Sequence, residues 1–163
     1  MDKTIGIFGG GQLGRMMAQA ALPLNIQCTF FEANTDCPAG VLGQVFSSQD
    51  EQGLKQFIES ADVFSLEFEN TPVADVDVLT QTKKLHPPRI ALATAQNRLS
   101  EKALFDELAI PVAPYRAVDS LESLKKAVAE LGLPIVLKTA TGGYDGKGQF
   151  VLRSEDQIDT AWA

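Results

Sequence analysis

The chain has 163 residues, 45% hydrophobic and 21% charged, with 13 Gly and 8 Pro, a balance that excludes a disordered, collagen-like or low-complexity protein and predicts a folded globular one. Its 14 Lys and Arg against 21 Asp and Glu leave a formal charge of −7, which argues against nucleic acid or an anionic membrane surface as partner and requires any anionic ligand to be held by a few placed donors. Two Cys form neither a disulfide framework nor a metal spacing, and there is no signal-peptide pattern and no apolar run of about 18 residues, so a soluble, cytoplasmic protein is expected.

The pattern TIGIF, Thr4 to Phe8, predicts a buried strand that breaks at Gly9-Gly10-Gly11 before a helix over Gln12–Ala21. A second strand is expected over Ile26–Phe31, ending at Glu32, with Cys28, Phe30 and Phe31 in the core. A weak strand over Gln44–Ser47, a helix over Glu51–Glu59, a strand over Asp62–Phe68 with Phe64 and Phe68 in the core, and a helix over Pro72–Thr82 follow. This alternation predicts an α/β fold, a Rossmann-like parallel sheet with helices on both faces. Pro87-Pro88 interrupts the rhythm after His86, which reads as a linker histidine, and places a first domain at 1–92 and a second region at 93–163.

In the second region a helix over Ala95–Leu108 is expected to stop before Pro111, with a strand-like piece over Ala113–Val118 after it. Asp119 with Glu122 resembles a capping box for a helix whose Leu121, Leu124, Val128 and Leu131 share one face and which ends at Gly132 and Pro134. Strands Ile135–Lys138 and Gln149–Leu152 flank a glycine-rich loop, and Ser154 with Gln157 offers a further capping box for a helix that the chain's end at Ala163 cuts short, as expected of a truncated chain.

Two glycine loops carry the chemistry. Gly9-x-Gly11-x-x-Gly14 follows a strand and opens a helix, with Glu32 ending the next strand, so it matches a dinucleotide fingerprint. The same geometry suits any phosphate or carboxylate at a helix start, or a tight turn alone. The second loop, Thr141 to Gln149, contains Gly142, Gly143, Gly146 and Gly148 with Lys138 at its entry and Lys147 inside it. Such a flap can close over a polyphosphate, its backbone N–H groups meeting oxygens and its ammonium groups offsetting charge, although the spacing is not that of a Walker loop.

GIFGGGQLGRMM, EFEN at Glu67 to Asn70, QNRLSEKALFDELAIPVAPY from Gln96 and LKTATGGYDGKGQF together resemble the N-terminal part of the N5-carboxyaminoimidazole ribonucleotide synthetase family, purine-biosynthetic ligases of the ATP-grasp superfamily. The resemblance implies a pre-ATP-grasp domain followed by the beginning of an ATP-grasp domain. It implies use of MgATP and bicarbonate to form carboxyphosphate, whose carboxyl group or CO2 passes to the amine of 5-aminoimidazole ribonucleotide, and a homodimeric full-length protein. Carried over by position, Arg98, Lys138 and Gly143, Tyr144, Asp145, Gly146, Lys147, Gly148 and Gln149 contact ATP. Gly11, Gln12, Leu13 and Glu67 hold the ribonucleotide, which Tyr144 and Asp145 also approach.

Thr-Ala-Thr after Lys138 departs from the basic residues that relatives often carry there. The ligands for Mg2+ and the groups for bicarbonate are expected in sequence beyond residue 163, so the chain alone is expected to be inactive. The alternatives left open are a formate-dependent glycinamide ribonucleotide transformylase, which Tyr144-Asp145 disfavours, a nicotinamide-binding Rossmann domain and a non-catalytic phosphate-binding fragment.

Overall fold

A computed structural model describes residues 3–80, 84–143 and 146–162. The chain divides into two compact units, Met1–Ala93 and Thr94–Ala163.

In the first unit, strands β1 (Lys3–Phe8), β2 (Ile26–Glu32), β3 (Gln44–Ser47) and β4 (Val63–Leu66) form one parallel sheet in the order β3-β2-β1-β4. Register pairs Ile7 with Phe30 across β1 and β2, and with Ser65 across β1 and β4. Alternation along each strand sends side chains to opposite faces. Ile5, Ile7, Cys28, Phe30 and Val45 pack against α1 (Gln12–Ala21), which contributes Met17, Ala18 and Ala21. Phe8, Phe31, Phe46 and Phe64 pack on the other face against α2 (Gly53–Ser60) and α3 (Val73–Thr80), the latter through Val76 and Leu79. Phe57 of α2 lies with its ring centroid 5.0 Å from Phe8, 5.3 Å from Phe31, 6.1 Å from Phe46 and 5.2 Å from Phe64. The expected α/β architecture is present. Residues 81–83, including the expected end of the Pro72–Thr82 helix, lie outside the described residues.

Several local expectations are corrected. Helix α4 (Arg89–Ala95) follows Pro87-Pro88 where an interruption was expected, because prolines just ahead of a helix start sacrifice no helical amide. The helix expected to run unbroken from Ala95 begins at Arg98 as α5 (Arg98–Glu107), since Asn97 leaves helical geometry and its side chain accepts from the amides of Leu99 and Ser100. β4 stops at Leu66, so Glu67 and Glu69 lie beyond the strand, and Phe68 is exposed, not in the core.

In the second unit, residues 110–119 form no strand; Pro111 and Pro114 each remove an amide donor that a ladder needs. Helix α6 (Leu121–Leu131) is capped by Ser120 with Ser123, one residue later than the Asp119–Glu122 expectation. The two Ser side chains reach each other's backbone amide at 3.0–3.1 Å, and Asp119 instead accepts from the Ser123 hydroxyl. Strands β5 (Ile135–Lys138) and β6 (Gln149–Leu152) pair antiparallel, with Lys138 opposite Gln149. Ile135, Leu137, Phe150 and Leu152 face Leu124 and Val128 of α6 and Ile158 of α7 (Ile158–Trp162). Ser154 makes no side-chain cap; Gln157 instead accepts from the Arg153 amide at 2.8 Å, so that capping box is also corrected.

Candidate functional site

Parallel strands deliver their carboxyl ends to one edge, and ligand crevices in such sheets form where the strand order reverses. Here that point lies between β1 and β4, whose neighbours in sequence and space diverge. Gly9-Gly10-Gly11 leaves β1 there, Glu67 leaves β4 and Glu32 ends β2. Gly9 has φ of +109°, a conformation that L side chains rarely adopt, so glycine is required.

The donors of this turn are met from within the chain. Glu67 Oε2 accepts from the Gly11 amide at 2.8 Å and Oε1 from the Leu13 amide at 3.0 Å, while Glu32 Oε2 accepts from the Gly10 amide at 3.1 Å. The Glu67 carboxylate thus occupies the positive end of α1, where an anionic ligand was expected. A Cβ on Gly11 would lie 2.5 Å from Glu67 Oε1, and one on Gly10 would lie 2.6 Å from the sulfur of Cys37. The close approach that these glycines permit is made by side chains of the protein itself. Glu32, which completes the dinucleotide fingerprint in the sequence, spends its oxygens on Gly10 and Ala33. Gln12 and Leu13 are exposed beside this carboxylate, available to a ligand.

In the second unit the base of the glycine loop is tied together. The Thr139 amide donates to Gly148 O at 2.8 Å. The Thr139 hydroxyl oxygen would lie 2.6 Å from a Cβ at Gly148 and 3.1 Å from one at Gly143. Gly148 has φ of +67°, so neither space nor backbone there tolerates a side chain. Arg98, at the first turn of α5, donates from Nε to Thr139 O at 3.1 Å and from a terminal nitrogen to Gly143 O at 2.8 Å. Lys138, Gly146, Lys147 and Gln149 are exposed around the loop. Tyr144 and Asp145 lie outside the described residues.

Beside this loop is a groove of about 530 Å3 with an apolar floor that includes Val118, Leu124 and Ile135. Its charged lining is Arg98, Lys102, Arg116 and Lys138, with no carboxylate among the lining residues. Arg116 is paired with Glu130 at 2.7 Å, so Arg98, Lys102 and Lys138 supply the positive charge suited to an anionic group next to an apolar one. Among the described residues no group of three or more His, Cys, Asp or Glu could hold a metal ion.

Thr139 and Asn97 were missed as site-forming residues by sequence reasoning. Asn97 carries a readable signal, an N-cap residue just ahead of a helical stretch. Thr139 carries none, because only the path of the returning loop brings it between two glycines.

A parallel sheet with a glycine turn at its reversal point, followed by a β-hairpin closing on a second glycine loop, defines the opening of an ATP-grasp protein. Residues 1–96 match the family model of the ribonucleotide synthetase preATP-grasp domain and residues 103–163 that of the ATP-grasp domain, so the chain belongs to the ribonucleotide synthetase pre-ATP-grasp family. It is 38% identical, over 98% of its length, to an N5-carboxyaminoimidazole ribonucleotide synthase from Staphylococcus epidermidis. It spans 43% of that relative. A crystal structure of an N5-carboxyaminoimidazole ribonucleotide synthetase with ADP superposes with a TM-score of 0.89 at 42% identity, covering 98% of this chain and 43% of that one. A synthase from Aspergillus clavatus in complex with ADP and 5-aminoimidazole ribonucleotide gives 0.84 at 29% identity, with 98% and 43% coverage.

Proposed function

We propose that the protein acts in the carboxylation of 5-aminoimidazole ribonucleotide to N5-carboxyaminoimidazole ribonucleotide, a step of purine synthesis driven by ATP and bicarbonate. The observation that carries this reading is the groove beside the second glycine loop, lined by Arg98 and Lys138 together with apolar residues. Those features suit the phosphates and the base of a nucleotide. Bicarbonate oxygen attacks the γ-phosphorus, ADP leaves, and the resulting carboxyphosphate delivers its carboxyl carbon, directly or as CO2, to the substrate amine with release of phosphate and a proton.

In this reading Arg98, Lys138 and the segment Gly143 to Gln149 serve ATP, the loop covering its phosphates. Gly11, Gln12, Leu13 and Glu67 serve the ribonucleotide. Because Glu67 already accepts from two amides, its remaining lone pairs accept from ligand hydroxyl or amine groups. The ribonucleotide phosphate is therefore held away from the start of α1. Among the described residues no cluster of His, Cys, Asp or Glu is placed to hold Mg2+. A homodimer and a cytoplasmic location complete the proposal. No helix among the described residues is long and apolar enough to cross a membrane.

The test joins residues 1–163 to the C-terminal remainder of the Staphylococcus epidermidis relative and measures ADP release. The expected result is release that requires bicarbonate and 5-aminoimidazole ribonucleotide from the chimera, and none from residues 1–163 alone. A chimera that binds both ligands and still releases no ADP when the ribonucleotide is added overturns the reading.

A further inference from the structure

The sequence presents Gln-Asn-Arg and the glycine loop as separate motifs, about forty residues apart; the structure joins them. Asn97 follows α4 and caps α5, which places Arg98 at the first turn of α5, beside the base of the loop. From that position one residue makes three hydrogen bonds to the chain leaving β5: its amide to Ala140 O at 2.9 Å, Nε to Thr139 O and a terminal nitrogen to Gly143 O. We propose that Arg98 is a positioning residue, whose guanidinium clamps the carbonyls of Thr139 and Gly143 and so fixes the outgoing neck of the glycine loop beside the nucleotide groove before any nucleotide arrives. The inference rests on the ATP reading above and adds a role that direct contact with ATP does not supply.

The chemistry favours this division of labour. A guanidinium has five N–H donors in a rigid fork, so two can hold carbonyls four residues apart while others remain for phosphate oxygen. Charged donors make the stronger hydrogen bonds to carbonyl oxygen. The neck they hold is already narrow: Gly143 lies between the Arg98 guanidinium and the Thr139 hydroxyl, where an added Cβ would come within 3.0 Å and 3.1 Å of them. Thr139 in turn donates its amide to Gly148 on the returning side. Orientation of the outgoing strand is thereby passed to the incoming one. A neck fixed in this way loses less conformational freedom on binding.

The experiment compares wild type, Arg98→Ala and Arg98→Lys in two measurements. Amide hydrogen exchange at Thr139 in the ligand-free chain reads the clamp, and titration with ADP reads the nucleotide site. Both variants are expected to speed Thr139 exchange by about tenfold or more while leaving exchange in α6 unchanged, and to weaken ADP to a similar degree. Lys retains the charge but cannot fork across two carbonyls, so it is expected to behave like Ala. Unchanged Thr139 exchange in either variant overturns the proposal, as does an Arg98→Lys chain that binds ADP like wild type. Adding ethylguanidinium to Arg98→Ala should restore slow exchange, and failure of that rescue also counts against the clamp. A wild-type sequence that does not bind ADP even when joined to the C-terminal remainder of the Staphylococcus epidermidis relative defeats the nucleotide reading instead, and the exchange data then decide the clamp on their own.

Discussion

The amide of Gly11 donates to the carboxylate of Glu67, 56 residues away in sequence, at 2.8 Å. A carboxylate from the end of one strand thus caps the helix that follows another, and the site's most prominent glycine turn is stabilised by the protein's own anion. That contact turns a motif usually read as a ligand cradle into a structural joint with a ligand-facing side.

The two residues are therefore expected to be energetically coupled. Gly11→Ala places a Cβ against Glu67 Oε1, the far end of a flexible side chain, which swings away and leaves two amides without their acceptor. Glu67→Ala leaves the same amides open. Each change should cost about 1–3 kcal/mol in urea unfolding, and the double variant should cost less than the sum by about 1 kcal/mol or more. Strict additivity would show that the glycine is needed for some other reason.

Ligand binding should separate the two loops. Lys138→Ala removes an exposed cation at the mouth of the second loop and is expected to weaken ATP by about 1–3 kcal/mol while leaving ribonucleotide affinity within about twofold. Glu67→Ala should do the opposite. Calorimetric titration of each variant with each ligand provides the comparison, with circular dichroism to establish that both are folded. Loss of both ligands in both variants would contradict separate sites.

The two thiols should react differently. Burial pushes the Cys28 thiol above its ordinary value, which disfavours the thiolate that attacks a disulfide reagent, while Cys37 is partly exposed beside Gly10. At pH 8 the native chain is expected to show one accessible thiol with an aromatic disulfide reagent and two after unfolding. Cys37→Ser should abolish the native reaction. Fast reaction of that variant would place Cys28 in contact with solvent.

Acid should reveal the tie between the ends of β1 and β4. The Thr4 amide at 3.0 Å, aided by the Lys3 ammonium at 3.6 Å, holds the Asp62 carboxyl below its ordinary value of 3.8. A depressed folded value means that the contribution is complete above the unfolded value and is lost as pH falls through the folded one. The difference in urea midpoint between wild type and Asp62→Asn should therefore hold steady from pH 7 to about 5 and shrink below about 4. A difference that stays constant down to pH 3 would assign it to packing rather than charge.

Much of the first unit is legible in the sequence because its periods are clean. The run Ile5-Gly6-Ile7-Phe8 alternates between two helix-covered faces, and the helix over Gln12–Ala21 has the bounds that its pattern predicts. Boundaries set by a side chain that competes with the backbone are harder to read. Asp119, Ser120 and Ser123 are all cap formers, and which of them caps α6 depends on how the preceding chain arrives. At the candidate site the glycines announce close approach without saying to what: Glu67 and Cys37 fill spaces that the pattern alone assigns to a ligand. Long-range contacts such as Arg98 with Gly143 have no local signature at all.

The placement of Phe57 has a consequence for how the first unit comes apart. Its ring meets one ring from each of the four strands, so no strand can detach without disturbing a contact shared by the other three. Edge strand β3, and β4, whose outer side at Phe64 pairs with Lys84 to His86, are thereby linked to β1 and β2 by a single helical side chain. Sheet and helix α2 should melt as one cooperative element, and aromatic resonances throughout the sheet should shift together when that one ring is replaced.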